Sequence, residues 1–199
     1  SVKTECVVVI KSTVPIGTND KVERIINEHR KDRGNILVAS NPEFLAQGTA
    51  VENTLHASRI VLGVEERTAK DTLLELYKDF DAPKLVMNRR SAEMVKYASN
   101  DFLALKISYI NEIANLCEEI GADIRDVTRG MGYDSRIGNE FLKAGIGYGG
   151  SCFPKDTKAL HWLSSMHDRE LKTIKAAIEV NEQQKLRLIK KSRKFYESF

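Results

Sequence analysis

No apolar run in this 199-residue chain approaches the ~20 residues that a membrane-spanning helix requires. Its opening residues also lack the charged-then-apolar order of a secretory leader. Neither membrane insertion nor export is expected. Cysteine is scarce: Cys6, Cys117 and Cys152 are the three present, with no C-x-x-C pair among them. That excludes a disulfide framework and a thiolate zinc site, and it fits a reducing, cytoplasmic setting. The four histidines are scattered without metal-ligand spacing, so no metal is expected. An excess of one charge is missing too. With 31 basic and 28 acidic residues the net charge is +3, too small to argue for nucleic acid or a membrane surface as partner. The basic residues between Lys185 and Lys194 are interspersed with Leu186, Leu188 and Ile189, and they read as a solvated helix face. No internal repeat or low-complexity stretch is present.

What is there begins with Cys6-Val7-Val8-Val9-Ile10, a short β-branched run of the kind buried on both faces of a sheet. Pro15 and Gly17 break it, and a helix is expected from about Asn19 to Arg30. Residues 35–39 read as a second strand, giving β-α-β order and a parallel pair. Arg59 to Gly63 is a third strand, Thr68 to Phe80 a helix, and Lys84 to Met87 a short fourth strand. The texture then changes. Ser91 to Ile120 contains neither proline nor glycine, and Met94, Ala98, Phe102, Leu105, Tyr109, Ile113, Leu116 and Ile120 form a 3.6-residue apolar stripe. Such a helix of about thirty residues extends roughly 45 Å and should be a spine between domains or a dimer seam. Gly121 stops it and Asp123 caps a short helix to about Arg129. A glycine-rich loop follows to Gly150, then helices over about 154–166 and 170–198. The expected fold is α/β plus all-α: a partial parallel-sheet, Rossmann-like half-domain, then a helical region with one long helix.

The most informative ten residues are Gly147-Tyr148-Gly149-Gly150-Ser151-Cys152-Phe153-Pro154-Lys155-Asp156. Pro154 suits a first helical turn, so the loop delivers Cys152 to a helix N-terminus, where the macrodipole favours thiolate. Asp156, one turn on, opposes that ionisation and Lys155 assists it. Residues 145–150 also match G-x-G-x-x-G, but no strand precedes them, so a dinucleotide fingerprint is rejected. Thr13 lies just past the first strand and Asn41-Pro42-Glu43-Phe44-Leu45 just past the second, on the edge where open parallel sheets bind ligands. Lys96 and Asn100, four apart, stack on one face of the long helix, away from its apolar stripe.

With these segments the chain resembles the nucleotide-sugar dehydrogenases of the UDP-glucose/GDP-mannose dehydrogenase family. The likeness rests on residues 11–15, Asn41 to Leu45, Ala92 to Asn100 and Phe141 to Leu160, in the family's order. It implies that residues 1–88 are the second half of an NAD-binding domain, without its glycine-rich first half. Residues 89–199 would be the central helical dimerisation domain, and the sequence a portion of a longer protein. It further implies NAD as cofactor, a UDP-sugar substrate and a homodimer formed through Ser91–Ile120. The family oxidises a primary alcohol to a carboxylate in two hydride transfers, holding the aldehyde on a cysteine. By this likeness Cys152 is the nucleophile, and Lys96 and Asn100 stabilise negative charge on the reacting oxygen. Asp156 serves base and water chemistry, Glu43 thioester hydrolysis, and Thr13 sits near the nicotinamide and the attacking water. Gln47 and Lys155 are implied cofactor contacts. Glu43, Phe44, Leu45, Ala46, Gln47, Lys96, Asn100, Arg136, Phe141, Leu142, Lys143, Ala144, Gly145 and Gly149 are implied substrate contacts, with Lys143 facing the diphosphate and Arg136 reaching the partner subunit's substrate. Gln47 is a departure, since many relatives have glutamate there, and an amide has no general-base capacity. The wording around Cys152 favours UDP-glucose over GDP-mannose or UDP-N-acetylhexosamine. The alternative is that this polypeptide alone is a non-catalytic dimerisation core.

Overall fold

A computed structural model of the chain describes residues 5–30 and 35–196. These fall into two compact units, Ser1–Lys96 and Tyr97–Phe199. The first contains β1 (Glu5–Ile10), α1 (Thr18–His29), β2 (Asn35–Ser40), α2 (Ala50–Leu55), β3 (Ile60–Gly63), α3 (Arg67–Leu76), β4 (Lys84–Met87) and the opening turns of α4 (Arg89–Ile120). The four strands lie in the order β1-β2-β3-β4. β1 pairs parallel with β2, and β3 parallel with β4, each through a crossover helix as parallel pairing demands. Between the two pairs the sheet departs from the parallel expectation. β2 and β3 are antiparallel at Ser40 and Gly63, and their connection holds only the six-residue α2, none of whose residues is buried. α2 itself has no counterpart in the sequence expectations.

The core of this unit is Leu37, Ala39, Ile60, Leu62, Val64, Ala69 and Leu73. Val38 and Val61 are fully buried on the alternate positions of β2 and β3, so the two central strands are covered on both faces, as their β-branched runs require. Gly63 ends β3 where the chain meets the first turn of α4. A Cβ there would stand 2.6 Å from Ala92 Cβ and 2.9 Å from Arg89 Cα, so glycine alone permits the close approach. Arg89, buried, pins that turn to α1 and the β3–α3 loop through Glu23 (2.7 Å), Asp20 (3.2 Å) and Glu65 (3.7 Å).

The second unit contains the rest of α4, α5 (Ile124–Gly132), α6 (Cys152–Met166) and α7 (Lys172–Tyr196). The expected end of the last helix near Ser198 lies outside the described residues. Asp123 caps α5, accepting a hydrogen bond from Arg125 N at 2.8 Å, and Gly121 takes the left-handed φ of 75° that stops α4. The apolar stripe of α4 is largely its outer face: Phe102, Tyr109, Leu116 and Ile120 are all exposed. The inner face mixes polar and apolar residues: Asn100, Asp101, Ser108 and Asn111 are buried beside Tyr97, Ala104 and Ile110. Here α4 packs on α7 by specific polar contacts. Ser108 Oγ donates to Ala177 O at 2.9 Å, Asn115 Nδ2 to Gln184 Oε1 at 2.9 Å, and Arg187 pairs with Glu118 at 2.8 Å.

Candidate functional site

In the first unit the site residues gather where β1 and β2 end together. Asn41 is the pin. Its Nδ2 donates to Val61 O (2.9 Å), while its Oδ1 accepts from Lys11 Nζ (2.7 Å) and Tyr77 Oη (2.5 Å). That fixes the Asn41-Pro42 turn and so the placement of Glu43 and Phe44 after it. Lys96, only 3% exposed, sets its ammonium 3.2 Å from Glu43 Oε1 and 5.5 Å from the centre of the Phe44 ring. A buried ammonium needs such partners, and a carboxylate with an aromatic face supplies both charge and packing. The other Glu43 oxygen accepts from Leu45 N at 2.7 Å, and the Arg59 guanidinium stacks on Phe44 at 3.9 Å. A cleft of about 390 Å³ opens here, lined by Lys11, Asn41, Glu43, Phe44, Arg59 and Tyr77 among others. Thr13 is half-buried past the end of β1, whereas Leu45, Ala46 and Gln47 are exposed.

This edge can be tested for its fit to a dinucleotide. A diphosphate would seek the amino end of α1, the usual anion site after a parallel strand. That end is already filled. Glu93, buried, accepts from Gly17 N (2.6 Å), Asn19 N (3.0 Å) and Asn19 Nδ2 (2.6 Å), capping α1 in place of its own absent cap. The G-x-G-x-x-G run at 145–150 lies between α5 and α6 with no strand before it. What the edge does offer is the Thr13 hydroxyl and the polar lip around Glu43, groups suited to a nicotinamide ring and its carboxamide. The amino end of α1 is therefore not open to the diphosphate.

In the second unit Cys152 is the first residue of α6 and is exposed, two residues earlier than the expected helix start at Pro154. Ser151 Oγ lies 3.8 Å from its Sγ. One turn on, Asp156 is 1% exposed, and its Oδ2 accepts from Asn100 Nδ2 at 2.6 Å. The Lys155 ammonium stands 3.3 Å from Asp156 Oδ1, too oblique for a hydrogen bond. The loop before the thiol is clamped by amides. Asn181 on α7 accepts from Tyr148 N (2.7 Å) and donates to Tyr148 O (3.1 Å), while Asn111 on α4 accepts from Gly145 N (2.8 Å). Gly147 has φ 105°, and a Cβ there would come within 2.5 Å of Asn181 Oδ1, so the clamp and the glycine require each other. Phe141, at a left-handed φ of 63°, and Tyr148 both set their rings edge-on to Phe153, the residue after the thiol.

Of the expected residues, then, the structure joins Glu43 with Lys96 and Asn100 with Asp156. Leu142 is buried, Ala144 half-buried, and Lys143, Gly145 and Gly149 are exposed on the loop. Arg136 is exposed, and its guanidinium is held by Asp134 at 2.6 Å, which pulls that carboxyl below its ordinary range. The sequence reading missed Glu93, Asn111 and Asn181. Each is a polar residue on a helix and carries no mark that separates a buried clamp from a surface position.

Residues 1–81 match the NAD binding domain of the UDP-glucose/GDP-mannose dehydrogenase family, and residues 90–183 match its central domain. The chain is 53% identical over 191 residues to UDP-glucose 6-dehydrogenase YwqF of Bacillus subtilis (strain 168), covering 96% of this chain and 43% of that protein. It is 50% identical over 185 residues to UDP-glucose 6-dehydrogenase TuaD of the same organism, covering 93% of this chain and 40% of that one. Among solved structures, a UDP-glucose dehydrogenase from the hyperthermophilic archaeon Pyrobaculum islandicum superposes with a TM-score of 0.85 at 47% identity, over 90% of this chain and 41% of that one. The chain thus spans about two-fifths of the length of the curated relatives it matches. Two successive domains of one family account for most of the chain, and the chain belongs to the UDP-glucose/GDP-mannose dehydrogenase family.

Proposed function

We propose that the protein carrying this chain is an NAD-dependent nucleotide-sugar 6-dehydrogenase that oxidises UDP-glucose to UDP-glucuronate through a thiohemiacetal and a thioester on Cys152. The observation that carries this reading is an exposed thiol opening α6, one turn from a buried carboxyl already hydrogen-bonded to Asn100. UDP-glucose as the sugar is supported by relatives of that name at 53% and 50% identity. NAD, when bound, supplies the hydride acceptor for both oxidations.

Cys152 performs the covalent work. Its thiolate adds to the aldehyde carbon, a C–S bond forms, and the carbonyl electrons move onto oxygen as an oxyanion. The Lys96 ammonium and the second N–H of the Asn100 amide stabilise that charge. Hydride loss restores the C=O bond as a thioester. Water then attacks, Glu43 or Asp156 takes its proton, the C–S bond breaks and the thiolate is regenerated with the carboxylate product. Thr13, Gln47 and Lys155 are assigned to the cofactor. Phe44, Leu45, Ala46, Phe141 to Gly145 and Gly149 are assigned to the sugar nucleotide, and Arg136 to the partner subunit's substrate. Domain bounds of 1–88 and 89–199 go with this reading. Turnover of UDP-glucose by the whole protein, with two NADH per acid formed, tests it. No turnover, or a preference for GDP-mannose or UDP-N-acetylmannosamine, overturns it.

A second reading concerns what the chain does by itself. The exposed stripe of Phe102, Tyr109, Leu116 and Ile120 on α4 supports a seam with a second copy. The 22.4 kDa chain is then a dimerisation core, inactive alone, and sediments at twice its mass. A monomer in sedimentation equilibrium removes the seam. No helix among the described residues is long and apolar enough to cross a membrane, and the sparse thiols support a cytoplasmic setting.

A further inference from the structure

The buried side of α4 holds a carboxyl that the reaction as written does not use. Asp101 follows Asn100, is 1% exposed, and neither of its oxygens has a hydrogen-bond partner. The charged group that bears on it is Asp156, from α6. Asp156 is equally buried, and its Oδ1 also lacks a hydrogen bond. Both oxygens of Asp101 therefore lack a donor, whereas Asp156 accepts from Asn100 at 2.6 Å and has the Lys155 ammonium 3.3 Å from its other oxygen. Two buried carboxyls so placed do not both ionise readily, since each charge opposes the other and neither is solvated.

The donors decide which member keeps a proton. Asp156 has the Asn100 amide and the nearby Lys155 ammonium to serve a carboxylate. Asp101 has neither. The other titratable group on this side is Tyr148, from the loop before α6. Burial raises its hydroxyl from its ordinary range, so it brings no compensating charge. Glu182, on α7, bears on Tyr148.

We propose that Asp101 is a positioning residue for Asp156: buried on α4 with no donor to either oxygen, it stays neutral in the folded chain, so that Asp156, the carboxyl held by Asn100 one turn along α6 from Cys152, has no second buried negative charge bearing on it. The consequence for base chemistry rests on the role given to Asp156 above, whereas the neutral Asp101 does not. Burial first, and the charge of Asp156 second, push the Asp101 carboxyl up to about 7. Asp101 accordingly takes on its negative charge near neutral pH.

The test is a carboxyl ¹³C NMR titration of the 199-residue chain labelled at aspartate, repeated with Asp101→Asn and Asp156→Asn. One aspartate should titrate with a midpoint near 7. It should vanish in Asp101→Asn and move to lower pH in Asp156→Asn. The proposal is overturned if every aspartate titrates in the ordinary carboxylate range, or if the neutral midpoint survives in Asp101→Asn. Should that variant not fold, an unmoved midpoint in Asp156→Asn overturns it equally. In the whole protein, the pH profile of kcat should lose its neutral-range change in Asp101→Asn. A neutral midpoint by NMR with an unaltered kcat profile overturns the coupling to Asp156 as base and leaves the neutral Asp101 standing.

Discussion

Replacing Cys152 by serine in the protein that carries this chain is expected to abolish net acid formation, a loss on the order of 10⁴-fold or more in kcat. The chemistry demands a nucleophile that both adds to an aldehyde and leaves from an acyl group. A thiolate does both near neutral pH, whereas a serine hydroxyl is weakly nucleophilic without an adjacent base, and its ester hydrolyses more slowly than a thioester. The structure offers serine no help, since Asp156 is already engaged with Asn100 and Lys155. The other two thiols serve as controls. Cys117 is buried on α4 and Cys6 is half-buried in β1, so their serine variants should change stability and leave turnover within about twofold. UDP-glucuronate yield measured by chromatography, with NADH absorbance as a second readout, checks all three. Wild-type acid yield from Cys152→Ser removes the covalent role and with it the proposed reaction.

Cys152 was legible because its cues were local: glycines, a proline and a charged turn within ten residues fix a loop and a helix start regardless of the rest of the chain. The strand pairs β1–β2 and β3–β4 were legible for the same reason, since each has a helix-length connection between its members. The antiparallel join of β2 to β3 was not. It depends on the course the chain takes around α2, and a list of residue types does not show that course. The long helix illustrates a second limit. Its apolar period was visible, but a period has no sign. In α4 the apolar stripe is largely on the outer side, and the buried face carries Asn100, Asp101, Ser108 and Asn111 beside Tyr97 and Ile110. The two amide clamps and the Glu93 cap were illegible because they join residues 33 to 76 positions apart through single polar atoms. No spacing rule reaches that far.

The same buried face makes a thermodynamic prediction that needs no substrate. Asp101 retains its proton in the folded chain up to about pH 7, whereas unfolded it releases it near 4. Between those values the native state binds more protons than the unfolded state, so stability falls as pH rises through the window and then levels off. Three pH units correspond to about 4 kcal/mol, and relaxation around the charge reduces this to roughly 2–4 kcal/mol. Asp101→Asn removes the ionisation at nearly constant volume, and its buried amide brings a desolvation cost of about 1 kcal/mol. The variant should therefore be more stable than wild type at pH 8, by about 1–3 kcal/mol, and equal or slightly less stable at pH 4. Urea denaturation at both pH values measures the difference. Carboxylates elsewhere, such as Asp123 held down to about 2 by Arg125, contribute equally to both proteins and cancel in the comparison. A gap between variant and wild type that is the same at pH 4 and pH 8 would mean that Asp101 is already ionised in the folded chain. In that case the two unpartnered oxygens of Asp101 need a cation or ordered water, and Asp101 ceases to be a proton store.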